Sequence, residues 1–545
     1  MSSLQILLDG LTVLTEKYQI VLGAVGIICV GCYIIFHLSG VTSDKRNRSS
    51  LLLLFLFFAF SLIIRLAFVT RVYVPPYFDS VEHYRLIREL VGIYGTSDFL
   101  DSLTGLTPGY YHLGFHLHAS LLTLGLRADP TDVILILGQV TVAAIPVPLF
   151  FLLRHETKSV TAAFLGTVLA GFGWYMPGFA VNWGKYPAIA GLLAFEIVLG
   201  IAYFGFQKKT YRKRYTIFGA LVLGIIISTF IHSRTLIIIA LSLACWFLAG
   251  RMRTLSRTLQ YFSTGMLIAG VLILGTLIQR EPLLKLTLEP YLEDGFWITM
   301  LVLVLTPFAW IKFSKDFYFS ILFILGVFAS LYISLNQMLP GYANQTLLDR
   351  PFVEMVLYFP VSVLGGLGLA GLLQFIRGMK GIPRKANVYA RLLIISSCFG
   401  LAAIIPMANY DFYPSDCCNF VKYDDTIAID WLNRNSPPDA RILAASTAMH
   451  VLPSGPSASA VGTDAGIWLP NLTGRQIILM PFNLDFRSRD TTEQLCQKRI
   501  DYIYVGNTTQ SFETTQLREK PDWYRGVLLL PTVQLYQLKD CLTAD

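Results

Sequence analysis

Apolar blocks of about 18 to 24 residues recur along this chain and are separated by short polar segments. A helix of that length crosses the hydrocarbon core of a bilayer, which is roughly 30 Å thick. Only 14% of the 545 residues are charged and 54% are hydrophobic, whereas soluble proteins average roughly 25% charged residues. We therefore expect a polytopic α-helical membrane protein, and we exclude a water-soluble globule.

The sequence contains about twelve strong apolar spans. They run at 19–39, 51–71, 130–153, 159–175, 186–206, 214–232, 234–250, 261–279, 296–313, 318–336, 353–376 and 390–409. A further apolar stretch, 108–126, is shorter and carries three histidines. This stretch is either a thirteenth crossing or a helix lying at the membrane interface.

The positions of Lys and Arg decide between these alternatives, because basic loops tend to remain in the cytoplasm. If 108–126 does not cross, every basic cluster falls on one side, including those at 45–48, 208–214 and 377–391. If it does cross, the densest clusters lie outside. We therefore expect a juxtamembrane helix there. Since this topology accounts for the net charge of +8, nucleic acid is not expected as a partner.

The same topology predicts three parts in a multi-pass protein of the plasma or inner membrane. These are an external N-terminal segment at 1–18, a transmembrane domain at 19–409 with a large external loop at 72–129, and an extracytoplasmic domain at 410–545. The last part alternates helix-like and strand-like patterns, which predicts a small α/β domain. We expect a helix at 426–433, strands at 441–445, 476–480 and 500–505, and a closing pair at 527–536.

Four of the eight cysteines, Cys417, Cys418, Cys496 and Cys541, lie in this C-terminal part. In an oxidising compartment, one interpretation is a long-range bridge from Cys417 or Cys418 to Cys496 or Cys541, and the other is unpaired thiols. No basic segment and no small-residue cleavage site precede the first apolar run, so we expect no removable signal peptide.

Acidic and imidazole side chains cluster just after the second span. Asp79, Glu82 and His83 fall on one face of a predicted helical turn. Two carboxylates and an imidazole suit a divalent cation such as Mg²⁺ or Mn²⁺, or a general base that takes a proton from a hydroxyl group. A solvated helix held by ion pairs explains the same pattern without any catalytic role.

Histidines form a second candidate group. His112 and His116 are four residues apart, so we expect them on the same helical face. Neither an HExxH motif nor a pair of CxxC motifs accompanies them, and a zinc site is therefore less well supported than histidines bonded to water or backbone.

Cationic residues stand at the entrances of spans on the predicted external side, where positive charge is scarce. Lys185, which follows Trp183, opens one span, Arg350 opens another, and Arg234 lies in a turn between two spans. Each could bind the phosphate of a ligand or anchor its helix by snorkelling to the interface.

This plan, with its short motifs, resembles the GT-C superfamily of integral membrane glycosyltransferases. Residues Phe78-Asp79-Ser80-Val81-Glu82-His83 are similar to the acidic motif of the family's first external loop. Residues Thr107-Pro108-Gly109-Tyr110-Tyr111-His112-Leu113 are similar to the proline-containing stretch before its juxtamembrane helix. The segments 429–433, 437–443, 464–475 and 502–506 look like the periplasmic domains of bacterial members.

The resemblance implies that a sugar is transferred, with inversion, from a polyprenyl-phosphate or pyrophosphate carrier in the membrane lipid to an acceptor glycan, lipid or protein on the outer face. Asp79 would be the base, and Glu82 and His83 would assist it or hold a metal. Lys185 and Arg350 would neutralise the carrier phosphate. The other substrate-binding candidates are His112, His116, Tyr110, Trp183 and Arg234.

The first loop lacks a neighbouring Asp-Asp pair, and the chain lacks a WWD-type motif. These departures disfavour Asn-directed protein glycosylation and leave metal dependence open. A multi-span transporter is the main alternative, although transporters usually place ionisable residues near mid-bilayer, and Glu196 is among the few such residues here. A non-catalytic GT-C-shaped scaffold, in which Asp79 is structural, is the third interpretation.

Overall fold

The computed structural model describes residues 45–106, 112–207, 214–278, 280–337, 345–379, 383–409, 414–449 and 459–539. The chain divides into two compact units, each built from several segments. The first comprises Met1–Thr70, Ile87–Val181 and Lys185–Tyr413. The second comprises Arg71–Leu86, Asn182–Gly184 and Pro414–Asp545. The predicted N-terminal segment 1–18 and the first predicted span, 19–39, lie outside the described residues.

The first unit is helical throughout its described part. Its longer helices are Lys45–Val69, Pro130–Ala144, Pro146–Thr157, Val160–Val168, Tyr186–Gln207, Arg214–Ile231, Arg234–Thr254, Arg257–Ile278, Phe296–Lys312, Ser314–Ser330, Tyr358–Gly378 and Arg384–Asn409. Shorter helices are Phe99–Gly105, Gly114–Leu126, Pro282–Leu292 and Arg350–Val356, with a π-helix at Leu169–Gly173 and 3-10 turns at Gly178–Val181 and Leu335–Gln337. A further helix, Phe78–Ile93, begins in the second unit and ends in the first.

Within the described ranges, seven helices are long and apolar enough to cross a membrane, and a bent pair, Pro282–Leu292 with Phe296–Lys312, would make an eighth. The seven are Ser49–Val69, Pro130–Thr157, Val160–Val181, Tyr186–Phe206, Arg234–Thr254, Arg257–Ile278 and Arg350–Gly378. The chain is thus a polytopic helical membrane protein. The predicted total of about twelve spans stays a prediction.

The predicted span at 318–336 differs from the observed helix, which is Ser314–Ser330 and has 17 residues. Its end is set by a turn at Leu331, whose N–H donates to the Phe328 carbonyl, and by the 3-10 helix Leu335–Gln337. Hydropathy alone missed this boundary, because the residues after Ser330 remain apolar although the backbone leaves the helix.

Small residues allow two helices of the first unit to pack backbone against backbone. Gly368 of Tyr358–Gly378 faces Phe296–Lys312, where a Cβ atom at position 368 would lie 2.5 Å from the Leu305 carbonyl oxygen. Gly371, one turn later, faces the Phe308 carbonyl in the same way. Such close approach is common between membrane helices, since lipid offers no hydrophobic drive for their association.

The second unit contains a six-stranded mixed sheet, in agreement with the predicted α/β character of the C-terminal part. Its strands are β1 Arg441–Met449, β2 Ser459–Gly462, β3 Gln476–Pro481, β4 Tyr502–Val505, β5 Tyr524–Leu529 and β6 Gln534–Leu538. β1 pairs in parallel with β3 and β4 and antiparallel with β2, while β6 pairs antiparallel with β4 and β5. The helices are Tyr423–Asn435, Leu469–Thr473, Arg489–Gln497 and Thr514–Arg518.

Apolar side chains on one side of this sheet form a separate core. Leu443 of β1 and Ile503 of β4 are fully buried there, together with Phe486 and Leu495 from the connections. The second unit therefore has its own hydrophobic centre, as a domain requires.

The cysteines pair differently from the predicted long-range pattern. Cys417 and Cys418 form a disulfide with each other, and Cys496 is disulfide-bonded as well. A bridge from Cys417 or Cys418 to Cys496 or Cys541 is therefore wrong; Cys541 lies outside the described residues. Spacing in the sequence does not determine connectivity.

Candidate functional site

The acidic motif begins a helix in the second unit. Asp79 is the second residue of Phe78–Ile93 and is half-buried. A carboxylate in the first turn is stabilised by the unpaired N–H groups of the helix. The hydroxyl of the next residue, Ser80, donates to the Pro76 carbonyl and so fixes the chain that enters the helix.

His83 is buried one turn further along and makes a long-range hydrogen bond. Its Nε2 lies 3.0 Å from the Gly184 carbonyl oxygen. A carbonyl oxygen only accepts, so Nε2 carries the hydrogen and donates it. This bond fixes the orientation of the ring. Because Nε2 carries a hydrogen, it cannot act as a base or a metal ligand.

Two other segments of the second unit hold the start of the motif. The Tyr77 N–H donates to the Cys418 carbonyl over 2.9 Å, and the side-chain oxygen of Asn182 accepts the Ser415 N–H over 2.8 Å. Backbone from three distant parts of the sequence thus surrounds the acidic motif, an arrangement that the spacing of the motif does not reveal.

Glu82 is occupied by a neighbour on its own helix. Its two carboxylate oxygens accept hydrogen bonds from Arg85 over 2.8 and 2.5 Å, and its side chain is 49% exposed. With Glu82 paired and the His83 Nε2 donating to a carbonyl, these residues and Asp79 do not form a metal-binding group. Within the described ranges no cluster of three or more His, Cys, Asp or Glu residues could hold a metal ion.

In the first unit, residues from three distant segments converge. The ring of His112 packs on that of His232, with centroids 4.3 Å apart. The His232 ring in turn stacks on Phe352 at 5.0 Å and 10°. Gly114 starts the helix that follows His112, and a Cβ atom there would lie 2.7 Å from the Phe230 carbonyl oxygen. The stretch near 112, the turn at 232 and the loop near 350 therefore pack together.

Both predicted arginines belong to this cluster and are paired with carboxylates. Arg234 Nη1 lies 2.9 Å from Asp349 Oδ2, and Arg350 Nε lies 3.4 Å from Glu354 Oε1. Asp349 also accepts the Phe352 N–H, which caps the helix Arg350–Val356. A guanidinium has five N–H donors, so each arginine retains donors beyond the one in its ion pair.

Lys185 directly precedes the helix Tyr186–Gln207, which packs against the same cluster. Its backbone N–H donates to Ala180 and its carbonyl accepts from Ile189. Along that helix, a Cβ atom at Gly191 would lie 2.9 Å from the Cβ of His232. The sequence predicted the cations of this cluster but not the carboxylates that pair with them. The signal for Asp349 was present, since Asp before a residue followed by Pro is typical of a helix N-cap.

The expected shared helical face for His112 and His116 is wrong. The helix begins at Gly114, so His112 precedes it, while His116 lies inside it, buried against Phe115. Gly114, the first residue of this helix, packs closely on the Phe230 backbone. Its 13 residues extend about 20 Å, too short to cross a bilayer.

The remaining predicted residues lie elsewhere. Trp183 is half-buried in the second unit, between Asn182 and Gly184. Tyr110 lies outside the described residues. Asp79, Glu82 and His83 belong to the second unit, whereas Lys185, Arg234, Arg350, His112 and His116 belong to the first.

Comparison with known proteins gives one family match. The model of the family described as "Family of unknown function (DUF6541)" matches residues 12–333, more than half of the chain. No curated protein matches the sequence significantly. Among solved structures, the chain is similar to the Archaeoglobus fulgidus oligosaccharyltransferase, solved in complex with Zn and sulfate. The TM-score is 0.47 and the identity 11%, over 88% of this chain and 73% of that chain.

Proposed function

This chain belongs to the DUF6541 family, and we propose that it is a membrane glycosyltransferase that uses a sugar linked to a polyprenyl phosphate or pyrophosphate. One observation carries the proposal: His112, Arg234 and the Asp349-Arg350 pair, from three distant segments, converge in the first unit. Arg234 and Arg350 each begin a helix apolar enough to cross a membrane.

That placement suits a donor with a lipid tail and an anionic head. The tail would lie among the apolar helices, and the phosphate would lie at the level where these helices end. Arginine binds phosphate oxygens through two parallel N–H donors, and such charge-assisted hydrogen bonds are about twice as strong as neutral ones. Arg234 and Arg350 are thus the proposed phosphate ligands, with Lys185 as a third cation.

The proposed reaction is a single displacement at the anomeric carbon. The acceptor hydroxyl oxygen forms a bond to this carbon as the bond from the carbon to the phosphate oxygen breaks, and the configuration inverts. The hydroxyl proton passes to the carboxylate of Asp79. The bonding electron pair leaves with the polyprenyl phosphate, whose developing charge the arginines stabilise.

His83 is a positioning residue in this proposal. Its Nε2–H holds the Gly184 carbonyl and thereby fixes the turn of the helix that carries Asp79. Glu82 and the His83 Nε2 have no metal-binding role in this proposal, because Arg85 and the Gly184 carbonyl are already their partners.

The proposed reaction occurs on the extracytoplasmic face of the plasma or inner membrane, because the basic loops are expected in the cytoplasm. The acceptor is a hydroxyl-bearing glycan, lipid or protein. The apolar helices would supply a groove, open to the membrane lipid, for the tail of the carrier.

The test uses the full chain in lipid nanodiscs with polyprenyl-phosphate-glucose and polyprenyl-phosphate-mannose labelled in the sugar. A membrane extract supplies acceptors, and label in its lipid, glycan and protein fractions is measured. Asp79→Asn should lower transfer by about a hundredfold or more, as expected for loss of a general base. Asp101→Asn, which changes an exposed carboxylate in the helix Phe99–Gly105, is the matched control. Equal transfer by Asp79→Asn and the unmodified chain would refute the proposal.

Transport of an ionic solute is a second candidate, favoured by Glu196. This residue is fully buried in the candidate span Tyr186–Phe206, and Tyr358 donates to its Oε1 over 2.5 Å. Oε2 has no hydrogen-bond partner in the described part of the chain. Ionisable groups inside membrane spans often mark ion pathways. Glu196→Gln should abolish solute uptake by vesicles if the chain is a transporter, and should leave sugar transfer intact if it is not.

A further inference from the structure

A cavity of about 280 Å³ lies within the second unit, lined by the loop at 416–422, the start of the acidic helix, and the loops after β2 and β4. Ligand cavities in proteins span roughly 300 to 1,000 Å³. The volume of this cavity is at the lower limit of that range. It can hold one small molecule, such as a single sugar ring, but not an oligosaccharide.

Asp464 is the least exposed polar residue in the lining of the cavity. The residue is 2% exposed, and its Oδ1 accepts the Gly466 N–H over 2.9 Å. Its Oδ2 packs against Gly506 and has no hydrogen bond of normal geometry in the described residues, although the nearby Ser511 hydroxyl favours the charged form. Buried polar atoms of this kind are rare and are usually explained by a water molecule or a ligand.

Further acceptors and donors surround Asp464. The side-chain oxygen of Asn419 also lacks a hydrogen-bond partner in the described ranges. Asn507, Thr508 and Gln510, in the exposed loop after β4, add amide and hydroxyl groups to the lining. A ligand that donates and accepts many hydrogen bonds would satisfy such a lining.

An aromatic surface completes the cavity. The rings of Phe78 and Phe420 both line it, with centroids 4.8 Å apart. Their planes are 60° apart. Aromatic side chains beside a few placed polar groups are typical of small-molecule sites. The C–H face of a sugar ring would pack on such rings while its hydroxyls reach the polar side.

The charges in the lining disfavour an acidic ligand. Asp416, Asp425 and Asp464 contribute carboxyl groups and Lys422 contributes one cation, which lies 3.9 Å from Asp416. Three carboxyls against one amine would repel an acidic sugar. Burial raises the pKa of Asp464 to about 6, with a smaller contribution from the charge of Asp425.

We propose that this cavity binds a single neutral sugar residue through the carboxylate of Asp464, the amides of the loop after β4 and the Phe78–Phe420 surface. Its use as the acceptor site rests on the proposed transferase function, whereas saccharide binding itself does not. Phe78, which lines the cavity, directly precedes the proposed base Asp79.

The experiment measures saturation-transfer NMR of methyl glycosides on the full chain in nanodiscs, because maltoside detergents carry competing sugars. The probes are the methyl glycosides of glucose, galactose, mannose and N-acetylglucosamine, with methyl glucuronide as the acidic comparison. We expect at least one neutral glycoside to bind with a Kd in the millimolar range or tighter, and at least tenfold more tightly than the glucuronide.

Two variants test the location. Asp464→Asn keeps the size of the side chain but removes its charge, and Gln510→Trp fills the cavity from an exposed loop. Each should weaken binding at least tenfold. Asp430→Asn is the matched control, since Asp430 is 55% exposed and paired with Arg434 outside the cavity. Absence of neutral-glycoside binding, or binding that both variants leave unchanged, overturns the inference. Binding without any sugar transfer refutes only the proposed function.

Discussion

The Nε2 of His83 lies 3.0 Å from the carbonyl oxygen of Gly184, a residue 101 positions later in the chain. This bond connects the acidic helix to a three-residue segment, Asn182–Gly184, that belongs to the second unit although its sequence neighbours belong to the first. The predicted catalytic motif is therefore positioned by a residue outside the motif, Gly184.

The first prediction concerns the role of His83. His83→Ala should lower sugar transfer by about tenfold, since removing a buried hydrogen-bond donor costs about 1 to 3 kcal/mol. His83→Gln keeps an N–H donor for the Gly184 carbonyl and should retain transfer within about threefold of the unmodified chain. A residue acting as base or metal ligand would not be rescued by glutamine, so equal losses in both variants would exclude the positioning role.

The second prediction concerns Gly184. Its φ of +63° lies in the left-handed region, and a Cβ atom there would lie 2.5 Å from the Ser80 hydroxyl oxygen. Gly184→Ala should destabilise the second unit by about 2 to 3 kcal/mol and lower its Tm, from backbone strain together with steric overlap. Gly474→Ala is the control, because Gly474 has φ +66° but no atom within 4 Å. It should cost only about 1 kcal/mol, from strain alone. Equal Tm changes in the two variants would show that the contact with Ser80 is unimportant.

The third prediction concerns the ion pair of Arg234 with Asp349. If Arg234 binds the carrier phosphate, Asp349 competes with that phosphate for the guanidinium. Arg234→Ala should raise the donor KM about tenfold, the effect of losing one charge-assisted hydrogen bond. Asp349→Asn should lower the donor KM severalfold, because asparagine still caps the helix Arg350–Val356 but no longer competes. A higher donor KM in both variants would mean that the pair is purely structural.

The fourth prediction concerns the pH dependence of stability. Burial raises the pKa of Asp464 from 3.8 to about 6, so this carboxyl binds its proton more tightly in the folded chain. Its contribution to stability is complete below about pH 4 and is lost as the pH rises through 6. At pH 7.5 the loss is about 3 kcal/mol. The groups facing it are Asp425, whose pKa is also raised by burial, and Tyr504, which donates to Asp425.

Asp464→Asn resembles the protonated form, so its Tm should exceed that of the unmodified chain by several degrees at pH 7.5 and match it near pH 4. The measurement is thermal unfolding across that range, with Asp430→Asn as the control. A Tm difference that does not vary with pH would contradict the assigned cause. The same variant is expected to weaken sugar binding, so stability and binding should change in opposite directions.

The helices and strands that depend mainly on local composition were predicted from the sequence. Helices occur at every predicted span within the described residues, because apolar content over about 20 residues sets insertion into lipid. The strands at 441–445 and 476–480 were predicted from short strand-like apolar runs, and the structure extends them to Met449 and Pro481. The short strand Ser459–Gly462, which has no strong pattern of its own, was missed because it depends on pairing with β1.

Contacts between distant segments could not be predicted from local composition. The sequence named Arg234 and Arg350 as cations, but the carboxylates that pair with them reach them only through the fold. Likewise, the helix after His112 starts where Gly114 meets the Phe230 backbone and not where its apolar stretch begins. The cavity around Asp464 was not predicted, since its lining comes from segments as far apart in the sequence as Phe78 and Gln510.

The second unit is built from segments that are far apart in the sequence, and this affects the order in which its parts are synthesised. Its segments Arg71–Leu86 and Asn182–Gly184 leave the ribosome long before Pro414–Asp545. Translation proceeds at roughly 5 to 20 residues per second. The sheet is therefore complete only tens of seconds after the acidic helix has been synthesised. During that time its apolar side chains need another cover, such as the membrane surface or a chaperone. A C-terminal fragment expressed alone would lack both earlier segments, and Trp468 would lose its ring contact with Tyr84.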